Sequence, residues 1–222
     1  MQMPYDLLFW DVDTQVDFMH PDGALYVPGA EEIVGELRRL TEAARFHDVP
    51  TIATADDHQV ADAEISSDPD YSTTYPPHCM HGTPGQRKID ATRRPDAVEI
   101  GHRALETGEI ERLATGCDAF LILKKRFDAF SNPNTERLLR ALAPRRVVVY
   151  GVALDVCNRA AVEGLWARGY RDLAVVTDAT RALDAEKGEA LLADWRRRGI
   201  DLVTADEALA EVAERREMVA AV

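Results

Sequence analysis

The chain has 222 residues, 46% of them hydrophobic, and a net charge of −13. That length can bury a full core as one domain, while the negative charge argues against nucleic acid or an anionic membrane as a partner, and no apolar run is long enough to span a bilayer. Three cysteines (Cys79, Cys117 and Cys157) form no disulfide framework, and the opening MQMPYDLLFW lacks the basic region and cleavage site of a leader, so a reducing, cytoplasmic setting is expected.

Leu7–Val12 reads as a strand buried on both faces, running straight into Asp13, Gln15, Asp17 and Phe18. Turn signals at Pro21-Asp22-Gly23 and Pro28-Gly29 lead to an amphipathic helix over Ala30–His47, with Ile33, Leu37, Leu40 and Ala44 on one face. Pro50–Thr54 is a short strand. From Ala55 to about Ala97 periodicity fails, and Asp, Ser, Thr, Pro and His dominate. A loop this long within a compact domain is usually functional or disordered, and its tyrosines and prolines (Tyr71, Tyr75, Pro76, Pro77) point to order.

Val98–His102 is a candidate short strand, Ala104–Thr115 a helix, Ala119–Lys124 a strand, and Asn134 caps a short helix ending at Leu142. The central segment is Arg145–Cys157, RRVVVYGVALDVC. Val147–Tyr150 lacks polar alternation, as expected of a central parallel strand, and Gly151 ends it. Asp155 is placed to cap the helix Arg159–Gly169. Cys157 therefore falls in a helical first turn, where unpaired N–H groups and the helix dipole lower a thiol pKa. Leu173–Thr177 (strand), Asp184–Arg198 (helix), Asp201–Thr204 (strand) and Asp206–Arg216 (helix) complete the chain.

Strands alternate with helices throughout. The expected fold is α/β in three layers, α-β-α, with a six-stranded, mainly parallel sheet in the order 3-2-1-4-5-6, the strand ending in Lys124 being third. One domain is expected over residues 1–222, with a metal-binding loop at about 55–97. Such a sheet puts all strand ends on one edge, so Asp13, Lys124 and Cys157 meet there.

A thiol nucleophile needs a base and a charge partner, and Asp13 and Lys124 supply them. Each also has a plain alternative: a turn residue for Asp13, a snorkelling strand-end lysine for Lys124, a small buried hydrophobe for Cys157. No histidine follows the Cys157 helix, so a Cys-His-Asn protease arrangement is unsupported. In the loop, Asp56 and His58 point the same way if the segment is extended, and Glu64 and His78 follow, with His81 competing for the place of His78. Imidazoles with carboxylates suit zinc, iron or manganese. His20, His47 and His102 read as solvated or packing residues.

These residues resemble the isochorismatase-like cysteine hydrolases, and within them the nicotinamidases. The resemblance spans nearly the whole chain. It rests on Asp13-Thr14-Gln15-Val16-Asp17-Phe18, on Lys124 in KKRFDAF (with Lys125 as the alternative register), and on Gly151-Val152-Ala153-Leu154-Asp155-Val156-Cys157. Asp56-x-His58, Glu64, Tyr75-Pro76-Pro77-His78-Cys79 and Gly82-Thr83-Pro84-Gly85 are similar to the nicotinamidase loop, a set that isochorismatases proper do not carry.

The resemblance implies an isochorismatase-like hydrolase fold and a metal-dependent amidohydrolase that converts nicotinamide to nicotinate and ammonia through a Cys157 thioester, with NAD salvage as its setting. A related amidase acting on a carbamoyl, ureido or pyrazinamide-like amide is the alternative. It implies catalytic Asp13, Lys124 and Cys157, and an oxyanion hole at the N–H groups of Ala153 and Cys157 beside a cis Val152–Ala153 peptide. It further implies substrate contacts from Phe18 and Tyr75, and one divalent ion (zinc first, then iron or manganese) on Asp56, His58, Glu64 and His78. The partner is then a small-molecule amide, and self-association is common in the family. Leu154, Val156 and Tyr75 depart from the residues common in the family at those places, and all three touch the pocket wall.

Overall fold

The computed structural model describes residues 6–220, with side chains as far as Arg215; Met1–Tyr5, half of the segment read for a leader, lie outside the described residues. The architecture is built on a seven-stranded sheet. Its strands are β1 (Leu7–Val12), β2 (Thr51–Asp56), β3 (Val98–Ile100), β4 (Ala119–Lys124), β5 (Arg146–Val152), β6 (Asp172–Arg181) and β7 (Asp201–Val203). They lie in the order β3-β4-β2-β1-β5-β6-β7, and every neighbouring pair is parallel.

Six of these strands keep the expected succession. The seventh, β3, is the segment read only as a candidate. It has three residues at the sheet edge and is partly exposed, so it offers little period for a sequence to display.

β1 alternates between two apolar layers, which is why it carries no polar alternation. Phe9 packs with Leu37, Leu40, Val148 and Tyr150, whereas Leu8 and Trp10 pack with Leu138, Leu139, Val147 and Val149. Helices α2 (Val34–Phe46) and α7 (Ala205–Ala220) cover the first face. Helices α3 (Thr107–Gly116), α4 (Thr135–Leu142), α5 (Arg159–Ala167) and α6 (Ala185–Arg197) cover the second. A short helix α1 (Val16–Met19) follows β1. No helix among the described residues is long and apolar enough to cross a membrane.

Two strand extensions shape the carboxyl edge. β2 runs to Asp56, beyond its expected end at Thr54, and pairs Asp56 with Lys124 on β4. β6 runs to Arg181, past a bulge opposite Val149–Gly151. Gly151 sits at φ 107°, and a Cβ there would stand 2.1 Å from the Val12 carbonyl oxygen, so this close approach of β1 and β5 requires glycine.

The long loop is ordered, as its aromatic and proline content implied. Bridges join His58 to Met80, Ile65 to Tyr75, and Gln15 to Lys88. Asp70 accepts the N–H groups of Ser72, Thr73 and Thr74, closing the loop tip.

Candidate active site

Three strand ends converge on one buried ammonium. Lys124 Nζ lies 2.9 Å from Asp13 Oδ2, 2.5 Å from Asp56 Oδ1 and 3.9 Å from Cys157 Sγ. Asp13, Asp56 and Lys124 are buried, and a ligand atom from each of Asp13, Asp56 and Cys157 falls within 4.8 Å of the others. The lysine thus fills the gap between three groups that can carry negative charge. Lys125, the alternative, turns aside to the Asp57 carbonyl and to Asp62.

Electrostatics follow from this burial. Loss of water disfavours the charge on Lys124, yet Asp13 and Asp56 outweigh that and hold its pKa well above the ordinary value. Burial likewise opposes ionisation of Asp56, but Lys124, His58 and His78 keep it well below the usual carboxylate range. For Asp13 burial wins over Lys124 and raises its pKa. Thr54 Oγ donates to Asp13 Oδ1 at 2.7 Å and fixes the carboxyl's rotation.

Cys157 departs from expectation in two ways. It lies in a single π turn, Leu154–Asn158, between β5 and α5, and Asp155 does not cap that helix. The Asp155 carboxylate instead accepts the N–H groups of Leu183 and Asp184, tying the turn to the segment after β6. Burial, with Asp13, Asp56 and Glu64 near, pushes the thiol pKa well up despite Lys124, so the expected lowering by the helix terminus is overturned. The Val152–Ala153 peptide is cis. The Ala153 carbonyl accepts the N–H groups of Val156 and Asn158, both at 3.1 Å, and the turn winds around it.

Beside this triad the loop brings four donors together. Ligand atoms of Asp56, His58, Glu64 and His78 all lie within 4.8 Å of one another, and all four residues are buried. His58 Nε2 is 3.7 Å from Asp56 Oδ1 and 3.7 Å from Glu64 Oε1, and His78 Nε2 is 3.6 Å from Asp56 Oδ2. Asp56 Oδ2 and both His58 ring nitrogens have no hydrogen-bond partner.

Their neighbours aim these donors. His78 Nδ1 donates to the Pro76 carbonyl at 2.7 Å, which leaves Nε2 as a lone pair facing the cluster. Glu64 Oε2 accepts the Phe127 N–H at 2.6 Å, leaving Oε1 free to turn inward. Gln15 grips both backbone groups of Asp56, accepting its N–H at 2.7 Å and donating to its carbonyl at 2.9 Å. Buried, orphaned, electron-rich atoms at this spacing fit a divalent cation, whose tetrahedral ligands at about 2.0–2.1 Å stand roughly 3.3 Å apart. His81 is not in the cluster; it pairs with Asp57 at 2.6 Å, as does His102 at 3.3 Å.

Phe18 and Tyr75 line the same narrow cavity as Asp56, Glu64, His78, Ala153 and Cys157. Phe18 leans on the His78 ring with centroids 5.3 Å apart, and Tyr75 meets it at 6.2 Å. The cavity wall also includes Leu25, Val27, Phe127 and Leu183. These residues carry no motif, and only the fold reveals them. Thr54 is similar: a threonine at a strand end gives no sign of the carboxylate it orients.

Residues 7–207 match the isochorismatase domain family. A nicotinamidase/pyrazinamidase of Mycobacterium tuberculosis is 31% identical over 195 residues, covering 86% of this chain and 95% of that protein. A probable inactive nicotinamidase of Arabidopsis thaliana is 27% identical over 204 residues, covering 91% of this chain and 94% of that protein. Among solved structures, a pyrazinamidase of Pyrococcus horikoshii in complex with zinc superposes with a TM-score of 0.71 at 24% identity, covering 90% of this chain and 99% of that one.

Proposed function

The chain belongs to the isochorismatase domain family, and from that premise we propose that it is a metal-dependent cysteine amidohydrolase that converts nicotinamide to nicotinate and ammonia. The observation that carries this reading is the buried Asp13–Lys124 ion pair with Cys157 Sγ 3.9 Å from the ammonium, Cys157 lining the same cavity as Asp56, Glu64 and His78 of the four-donor cluster. One relative is named as a probable inactive nicotinamidase, so family membership alone does not carry activity, and the reading rests on the triad.

Asp13 takes the thiol proton of Cys157. Burial supports this role by raising the Asp13 pKa, which brings a carboxylate closer to the operating range of a general base. Lys124 stays charged and offsets the negative charge as it moves from carboxylate to sulfur. The thiolate attacks the amide carbon, and the N–H groups of Ala153 and Cys157 receive the oxyanion, where one lost donor costs about 3–4 kcal/mol. Asp13 returns its proton to the departing ammonia, and water hydrolyses the thioester.

Asp56, His58, Glu64 and His78 would hold the divalent ion, which supplies a Lewis-acidic anchor when bound. The donor set suits zinc, iron or manganese. Phe18 and Tyr75 flank the substrate ring. The cavity is narrow, about 20 Å³, room for one water.

An ammonia-release assay with nicotinamide, with and without added zinc, manganese or iron, tests the reading. Metal-stimulated release that is absent in Cys157→Ala supports it. Release from a carbamoyl or ureido amide, with none from nicotinamide or pyrazinamide, would keep the chemistry and replace the substrate. No release from any amide overturns it.

A further inference from the structure

In a chain of net charge −13, a local excess of positive charge needs a reason. A cavity of about 480 Å³, sharing no lining residue with the one that holds Cys157, gathers such an excess. Arg38 comes from α2, and Arg87, Lys88 and Arg93 come from the strap that follows Gln86; His20 joins them. Asp90 is the one carboxylate among the lining residues.

The cations are not equally free. Lys88 is buried and spoken for, with Nζ 2.8 Å from Asp11 Oδ2 and 3.4 Å from the Thr54 carbonyl. Arg93 meets Asp90 at 3.2 Å, in a pair so exposed that it holds little. Arg38 and Arg87 have no side-chain partner among the described residues. Two unpaired guanidinium groups lining one cavity each offer the fork of donors that phosphate oxygens accept. A phosphomonoester carries a charge of about −1.5 to −2, which two guanidinium groups balance, whereas a carboxylate ligand would leave one of them unmatched. Val34 and Ile89 give the same cavity an apolar wall, and its volume falls within the roughly 300–1,000 Å³ of small-molecule sites.

We propose that this cavity binds the phosphomonoester of a small organic molecule, its phosphate on Arg38 and Arg87 and its organic part against Val34 and Ile89. The strap that carries Arg87 is laced to the segment after Asp13. The Val16 N–H donates to the Arg87 carbonyl at 2.9 Å, and the Ile89 N–H donates to the Thr14 carbonyl at 3.0 Å. A ligand seated on Arg87 therefore protects these two amides.

Calorimetric titration of the full chain with AMP, ribose 5-phosphate, inorganic phosphate, adenosine and benzoate tests the proposal, alongside amide exchange at Val16 and Ile89. AMP and ribose 5-phosphate are expected to bind saturably, slow exchange at both amides, and weaken about tenfold or more in the Arg38→Gln, Arg87→Gln double variant. Both arginines are exposed, so the variant should match the parent in circular dichroism and melting temperature, and each single variant gives a milder step. Inorganic phosphate binding as tightly as the esters would keep Arg38 and Arg87 as a phosphate site and overturn the contact of an organic part with Val34 and Ile89. Benzoate matching AMP, adenosine binding equally, affinity unchanged in the double variant, protection elsewhere than the strap, or no saturable binding each overturn it.

Discussion

Lys124 Nζ lies 2.9 Å from Asp13 Oδ2, with both side chains wholly buried. A charge so placed is tolerated only because it is paired, and this lysine also meets Asp56 at 2.5 Å. Lys124→Met should therefore leave two carboxylates buried without a counter-charge. Removal of one partner from a buried pair destabilises by about 3–5 kcal/mol, read as the change in unfolding free energy in urea at pH 7. Turnover should vanish as well. A variant within about 1 kcal/mol of the parent would show that water, not lysine, satisfies these carboxylates.

Cys157 is held neutral in the absence of metal. Burial raises its pKa above that of an ordinary thiol, and the carboxylates of Asp13, Asp56 and Glu64 add to the effect. The reactive thiolate thus grows as pH rises and is scarce below the raised pKa. In metal-stripped protein the rate of iodoacetamide alkylation at Cys157, read by peptide mass spectrometry, should be slow at pH 7 and still climbing past pH 9. A plateau below pH 8 would mean that Lys124 dominates. Asp13→Asn should lower kcat by about 10²–10⁴-fold, the contribution of a positioned general base.

Legibility from sequence tracks how local the determining physics is. β1 and β5 are readable because burial on both faces leaves an apolar run, and the carboxyl ends of parallel strands must share an edge, which brings Asp13, Lys124 and Cys157 together. β3 was only hinted at, because three edge residues hold no period. The role of Asp155 was misread because a carboxylate near a helix start resembles a cap, whereas its acceptors are used by N–H groups 28 and 29 residues away. The thiol pKa was misjudged for a related reason. The helix terminus is visible in sequence, but the burial of the thiol and the approach of Asp56 and Glu64 to it are not. The four loop donors were readable as residue types; their convergence depends on bridges such as His58 to Met80, which only the fold supplies.

The four-donor cluster should hold one ion per chain, and its supports should matter as well as its ligands. His58→Ala and Glu64→Gln should lower bound metal, measured by plasma mass spectrometry after dialysis against limiting metal. Gln15 touches no donor atom of the cluster, yet it holds both backbone groups of Asp56 and also donates to the Gln86 carbonyl at 2.6 Å. Gln15→Ala should destabilise by about 1–3 kcal/mol through the unsatisfied buried groups, and should reduce metal affinity by about 10–100-fold. Unchanged metal content in all three variants would reduce the cluster to a structural network.

Gly151 offers a test of how closely β1 and β5 must approach. Its φ of 107° lies where a side chain is strained, and an added Cβ would meet the Val12 carbonyl oxygen at 2.1 Å. The Gly151 carbonyl is gripped in turn by Thr180 Oγ at 2.7 Å and Asn158 Nδ2 at 3.3 Å, so the strand cannot rotate away without breaking those bonds. Gly151→Ala should therefore cost about 2–5 kcal/mol from combined strain and overlap. Val12 adjoins Asp13, and Gly151 lies just before the turn that holds Cys157, so parting the strands also parts base from nucleophile. Activity measured well below the melting temperature should fall as well, which simple destabilisation would not produce. Gly35 in α2 is the control: it is exposed and nothing lies within 4 Å of its would-be Cβ. Gly35→Ala should raise stability by about 0.5–1 kcal/mol and leave turnover untouched.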